Sequence, residues 1–237
     1  MLNLIRLHFR TLFTHKFFYV CAILSFILGP FITFLADILL KSKPSMAFPR
    51  IMGFLTGELG IITSVFIVIF VCLEISEDNL KNIISRGYKR SQVLISKYIV
   101  SVIAVFMIHF LVALLTFVIS IKNGIGYTSD INYVLIAYFF SILAQVAFIT
   151  FLAFVLGKIS YAIIISVILP IVLPMVFTLI ETKYNLPLSN YWVTSSIDLV
   201  VDKNTISSLL QSGAISIAYI IVFLVLAIIL TKNREVK

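Results

Sequence analysis

Residues 74–97 read EISEDNLKNIISRGYKRSQVLISK, a charged island between the apolar runs Ile51–Leu73 and Tyr98–Ile121. Those flanks decide the fold. A helix needs roughly 20 mainly apolar residues to cross a ~30 Å hydrocarbon core, and both runs are long enough. Four more runs read the same way: Phe17–Leu40, Ile131–Leu156, Tyr161–Ile180 and Ala214–Leu230. None alternates with a period of two, which argues against a membrane β-barrel. The expectation is an all-α membrane protein, a single transmembrane domain over 1–237 with six transmembrane helices.

Composition agrees. Hydrophobic residues make up 61% of the 237 and charged residues 12%, and the mean hydropathy is +1.15. No soluble domain hides that much apolar surface, so lipid is the solvent for most of it. The net charge of +8 sits at particular loops and forms no basic stripe, so no nucleic-acid partner is expected. It reads instead as orientation code and attraction to anionic headgroups. Cys21 and Cys72 are the only cysteines, too few for a metal site or a disulfide framework.

Lysine and arginine mark the cytoplasmic side. With both termini inside, 12 of the 18 fall in cytoplasmic parts, Arg6, Arg10, Lys16, Lys81, Arg86 and Lys89 among them. The other 6 are Lys41, Lys43, Arg50, Lys122, Lys183 and Lys203. A multi-pass cell-membrane protein with cytoplasmic termini follows, and it puts the island in the cytoplasm. Residues 1–16 read as an interfacial helix with Leu2, Ile5, Phe9, Leu12 and Phe13 on one side and Arg6, Arg10 and Lys16 reaching headgroups. Residues 181–212 form the one long outer loop. With Pro187, Trp192 and the amphipathic pieces Ser195–Val201 and Thr205–Leu210, it is expected to build a small extracellular cap, with a partly re-entrant course left open.

Within the island, Ser76 is an N-cap and Glu77 and Asp78 fill the first turn, where carboxylates favour the helix dipole. Leu80, Ile83 and Ile84 form an apolar stripe, Lys81 and Arg86 follow toward the C-terminal end, and Gly87 is placed to stop the helix. Ser91 is a second N-cap candidate at the mouth of span 3. A connector that only fixed topology would need neither the length nor the stripe.

Glu77, Leu80 to Ser85, Gly87, Arg90 and Ser91 to Lys97 carry a resemblance to the loop of ABC-2-type transporter permeases. In that family an acidic residue leads into K-N-x-x-x-x-G-x-x-R-x-x-x-x-x-x-K, matched by Lys81, Asn82, Gly87, Arg90 and Lys97. The resemblance implies that Glu77, Asp78, Leu80, Lys81, Asn82, Ile83, Ile84, Arg86, Gly87 and Arg90 form a coupling helix docked in a cleft of an ATP-hydrolysing subunit. The six-span plan, the N-terminal helix and the outer loop before span 6 match the same family. Motif similarity covers about 25 residues (the length of the island). Asp78-Asn79-Leu80 departs from it where many members carry Gly-Thr. The small size is similar to Gram-positive peptide exporters, such as lantibiotic-immunity and phenol-soluble-modulin transporters.

The sequence has no G-x-x-x-x-G-K-[ST] phosphate loop, so this chain is expected to be a transport subunit and no enzyme. It would hold no cofactor itself, with ATP and Mg in the partner ATPase. Expected partners are two cytoplasmic ABC ATPase subunits, a second permease copy (identical or a close paralogue), the lipid bilayer and an amphipathic peptide substrate to be exported. The competing class is a membrane subunit that binds substrate or regulates another complex without moving anything. An intramembrane protease is disfavoured, because paired glutamates and a second membrane histidine are missing.

Ionisable residues in a span are costly, by roughly 2.5–3.5 kcal/mol at the bilayer centre, and invite a functional reading. Asp37 and Glu58 could hold cationic parts of a substrate in an outward cavity, or pair with Lys41, Lys43 or Arg50 at the interface. His109 and Gln145, at similar mid-depth, are expected to share a hydrogen bond. Gly53, Gly57 and Gly60 allow close helix contact. Pro30, Pro170 and Pro174 should bend spans 1 and 5, which the resemblance places across a dimer as a gate. Tyr19, Tyr98, Tyr133, Tyr161 and Trp192 sit where interfacial anchors belong.

Overall fold

The computed structural model describes residues 1–40, 60–73, 79–122, 130–184, 188–193, 196–203 and 205–232. Among them there are helices and no strand. In chain order these are α1 (Leu2–Thr14), α2 (Lys16–Leu40), α3 (Gly60–Leu73), α4 (Asn79–Ser85), α5 (Arg90–Lys122), α6 (Asp130–Leu156), α7 (Ile159–Tyr184), a 3₁₀ turn at Ser189–Tyr191, α8 (Ser196–Lys203) and α9 (Ile206–Lys232). Parts of α5, α6, α7 and α9 are long and apolar enough to cross a membrane. The number rises to five if α1 and α2, bent by 66° at His15, count as one broken span. The protein is therefore a multi-pass helical membrane protein. Residues 41–59, which would complete spans 1 and 2, lie outside the described residues.

The expected boundaries shift at two helices. Span 3 starts at Arg90 rather than Tyr98, so the last third of the island is already part of a long helix. Its N-cap is Lys89, not Ser91: Gln92 Oε1 accepts from the Lys89 backbone N–H at 3.0 Å, one arm of a capping box. Span 6 starts at Ile206 rather than Ala214, absorbing the piece Thr205–Leu210. There Thr205 and Ser208 cap each other reciprocally, backbone N–H to side-chain oxygen, at 3.3 Å both ways.

The core forms around α6, which packs most extensively on α9 and also on α5, α7 and α8. Small residues permit this: Ala137, Ala144, Ala147 and Ala153 of α6 are fully buried. Gly60 of α3 meets α6 so closely that a Cβ there would collide with the Gln145 amide. Gly29 of α2 likewise sits against Val112 of α5. Helix α3 is enclosed by its neighbours, with Val68, Val71 and Cys72 fully buried and Cys72 Sγ 3.5 Å from the Ala153 carbonyl. The proline-bearing helices α2 and α7 run unbroken past Pro30, Pro170 and Pro174.

Residues 189–193 and α8 pack closely into the bundle. Ser141 of α6 donates to the Val193 carbonyl at 3.0 Å, Ser196 donates to the same carbonyl at 2.8 Å, and Ser212 of α9 donates to Ser196 at 3.1 Å. Ile197 and Val200 are fully buried. Trp192, expected at the interface, is only 4% exposed. Its ring meets Phe148, Phe177 and Tyr219, with centroids 5.9, 6.1 and 6.1 Å away, from α6, α7 and α9. Phe148 and Tyr219 lie at or beyond the midpoints of their helices, so Trp192 is a wedge set between α6, α7 and α9.

Candidate functional site

The candidate site is the end of the bundle carrying α1 and α4. Helix α4 stops as the sequence dictates. Gly87 takes φ +90°, open to glycine, and its N–H reaches back to the Ile84 carbonyl at 2.9 Å. The apolar stripe, however, faces inward. Ile83 is buried in the core, Leu80 packs against that core, and Ile84 is half-buried. Ile83 therefore holds α4 onto its own bundle. What α4 presents outward is Lys81, Asn82 and Ser85, followed by Arg86, Gly87 and Lys89, all exposed. Arg90, first in α5, is half-buried. Glu77 and Asp78, with the proposed cap Ser76, lie outside the described residues.

Helix α1 docks on α5 through Leu4, His8 and Leu12, one residue per turn and all buried. Ile5 and Phe9 flank that stripe, while Leu2 and Phe13, expected on it, are exposed. Arg6 and Arg10 are exposed. Burial, with the Lys97 charge second, pushes the His8 imidazole down to about 3. His8 is therefore neutral at physiological pH.

Lys97 is the residue that sequence reading placed wrongly. Taken as part of a cytoplasmic loop, it is only 1% exposed. Its ammonium donates to the Phe70 carbonyl of α3 at 3.1 Å and lies 3.8 Å from the centroid of the Phe70 ring. The signal was present: Val93, Leu94, Lys97, Ser101 and Ala104 follow helical spacing, and every one of them is buried. A boundary drawn at Tyr98 hid it.

The intramembrane candidates separate. His109 is buried but does not bond Gln145. Its Nδ1 is 2.7 Å from the Tyr138 hydroxyl of α6, while the Gln145 amide lies over Gly60 of α3. Both pairings join a neighbour to α6, and neither forms a relay between the two residues. Asp37 falls in α2 with its side chain outside the described residues, and Glu58, Gly53 and Gly57 lie outside them altogether. Pro30, Pro170 and Pro174 are half-buried. Among the described residues, no three His, Cys, Asp or Glu side chains converge as a metal site.

No family model matches this chain, and no curated protein matches it.

Proposed function

We propose that this chain is the membrane-spanning subunit of an ABC exporter, a six-span permease whose α4 is gripped from the cytoplasm by a separate ATPase. The single observation that carries the reading is the form of α4. It is a short helix between the apolar helices α3 and α5, fastened inward by Ile83 and Leu80, with a polar and basic face turned outward. A bare connector has no need of such a fastening. The island's similarity to ABC-2 permeases supplies the kind of partner, and the missing phosphate loop explains why a partner is needed.

Two copies of the chain and two ATPase subunits, which bind ATP and Mg, complete the assembly. The exposed apolar faces of α2 and α7 leave ample area for lipid and for a second copy. An amphipathic or hydrophobic substrate, peptide by the same resemblance, would pass between the copies.

The test is purification of the tagged chain from its own cells with whatever ABC ATPase accompanies it, with ATP turnover measured per assembled complex. The wild-type chain should bind the ATPase and alter its turnover, and Arg86→Glu with Lys89→Glu should weaken that binding at least ten-fold. Binding without any change in turnover would favour the non-transporting regulatory subunit. No binding at all would end both readings.

A further inference from the structure

Lys97 lies at the crossing of three helices and at the end of a file of aromatic rings. Its ammonium sits over Phe70, which stacks on Phe66 with centroids 5.8 Å apart and an interplanar angle of 12°. Phe66 meets Phe18 of α2 at 5.7 Å, and Phe18 meets Phe13 of α1 edge-on at 5.8 Å. Phe18, Phe66 and Phe70 are each 6% exposed or less. Helix α1 adds the buried His8 from its docked face.

A buried ammonium is stable only where hydrogen-bond acceptors and π-faces replace its water. The carbonyl it uses belongs to the backbone of α3, one turn before Leu73, the last described residue there. That bond ties α5 to the α3 main chain and does not depend on the rotamer of an α3 side chain. Residues 74–89, which contain α4, leave from α3 and return to α5. Lys97 therefore joins the two helices from which α4 is hung.

We propose that Lys97 is a positioning residue: it makes the ends of α1, α2, α3 and α5 one rigid body, so that a push on α4 moves the bundle instead of bending its attachments. The role in transport rests on the reading of α4 as the ATPase contact, while the rigid junction stands apart from it.

The experiment compares wild type, Lys97→Met, Lys97→Arg and Phe70→Leu in the full complex with its ATPase, reconstituted in liposomes. Amide hydrogen exchange reports the junction, and ATP turnover per assembled complex reports coupling. In Lys97→Met, exchange in α1 and α4 should quicken at least ten-fold while the middle of α6 stays protected. The change that the permease makes to ATP turnover should fall at least five-fold, and Lys97→Arg, which keeps the cation, should recover most of both.

Phe70→Leu removes the ring and keeps the carbonyl, so an intermediate loss is expected. It replaces Lys97→Met in every comparison if that variant does not accumulate. Unchanged exchange overturns the junction. Faster exchange with unchanged turnover makes Lys97 purely structural and overturns its positioning role. A wild-type chain that affects no ATPase defeats the proposed function, while the exchange measurement still decides the junction.

Discussion

Helices α6 and α7 are neighbours of nearly equal length, and both are apolar on every side. Yet 56% of the most apolar stretch of α6 is buried within the protein, against 6% for α7. The difference lies in side-chain size and backbone approach rather than in hydropathy. Alanines let α9, α5 and α3 close on α6, whereas α7 presents Ile164, Ile168, Ile171, Met175 and Leu179 outward. Lipid tails are as apolar as leucine, so in a bilayer burial follows fit rather than aversion to water. Helix α7 also has a Lys–Tyr pair at each end, Lys158 with Tyr161 and Lys183 with Tyr184, at 5.8 and 5.3 Å. That is how a lipid-exposed span is anchored at its interfaces.

The contrast breaks most readily at Trp192, whose ring touches α6, α7 and α9 together. Trp192→Ala should destabilise the protein by about 3 kcal/mol in thermal unfolding in detergent, and α7 should be the first helix to lose protection. Before mutation, this single tryptophan should emit at short wavelength and resist iodide quenching. Red-shifted, quenchable emission would remove the wedge.

Ile149→Ala in α6, at a fully buried position, should cost about 2 kcal/mol. That is the low end of the range for buried isoleucines, because in lipid the cavity term remains while the transfer term shrinks.

Helix α1 lies between the two extremes, and pH probes it. An imidazole whose proton affinity drops on docking stays neutral in the docked state and takes up a proton when released. Docking of α1 is therefore at full strength above pH ~6.5 and weakens as pH falls from there toward 3. Between pH 7.5 and 5.5 the loss should read as a roughly ten-fold fall in the amide protection factors of residues 2–14, taken relative to the intrinsic exchange rate at each pH. His8→Phe should abolish that dependence. The smallest effect belongs to α7: Ile168→Ala, at a position 50% exposed, should stay within about 0.5 kcal/mol. A larger loss would show that a second copy, not lipid, covers that face.

How much of this was legible in the sequence depends on what each signal measures. Hydropathy found the long helices, because length and apolarity are local properties. Gly87 marked the end of α4, because a positive φ leaves its trace in residue choice. Hydropathy could not rank α6 against α7, which are about equally apolar and differ in side-chain size. It also misjudged Trp192, since a tryptophan beside a loop looks the same whether it faces headgroups or is packed between helices. The stripe of α4 was seen, but its direction was not: Ile83 finds its partner in this chain's own core. His109 paired with Tyr138 instead of Gln145 because pairing depends on helix rotation, which a uniformly apolar sequence does not reveal. Lys97 was counted as a topology charge, although its register with Val93, Leu94 and Ser101 already put it on the buried side of α5.

The central claim is that α4 turns an outward face to an ATPase, and the exposed Asn82 is the place to test it. A photo-activatable amino acid at Asn82, illuminated in living cells, should give one dominant adduct to an ABC ATPase, while the same probe at Ile168 of α7 gives none. An Asn82 probe that labels no ATPase in the protein's own cells, with the protein present in the membrane, would contradict the account.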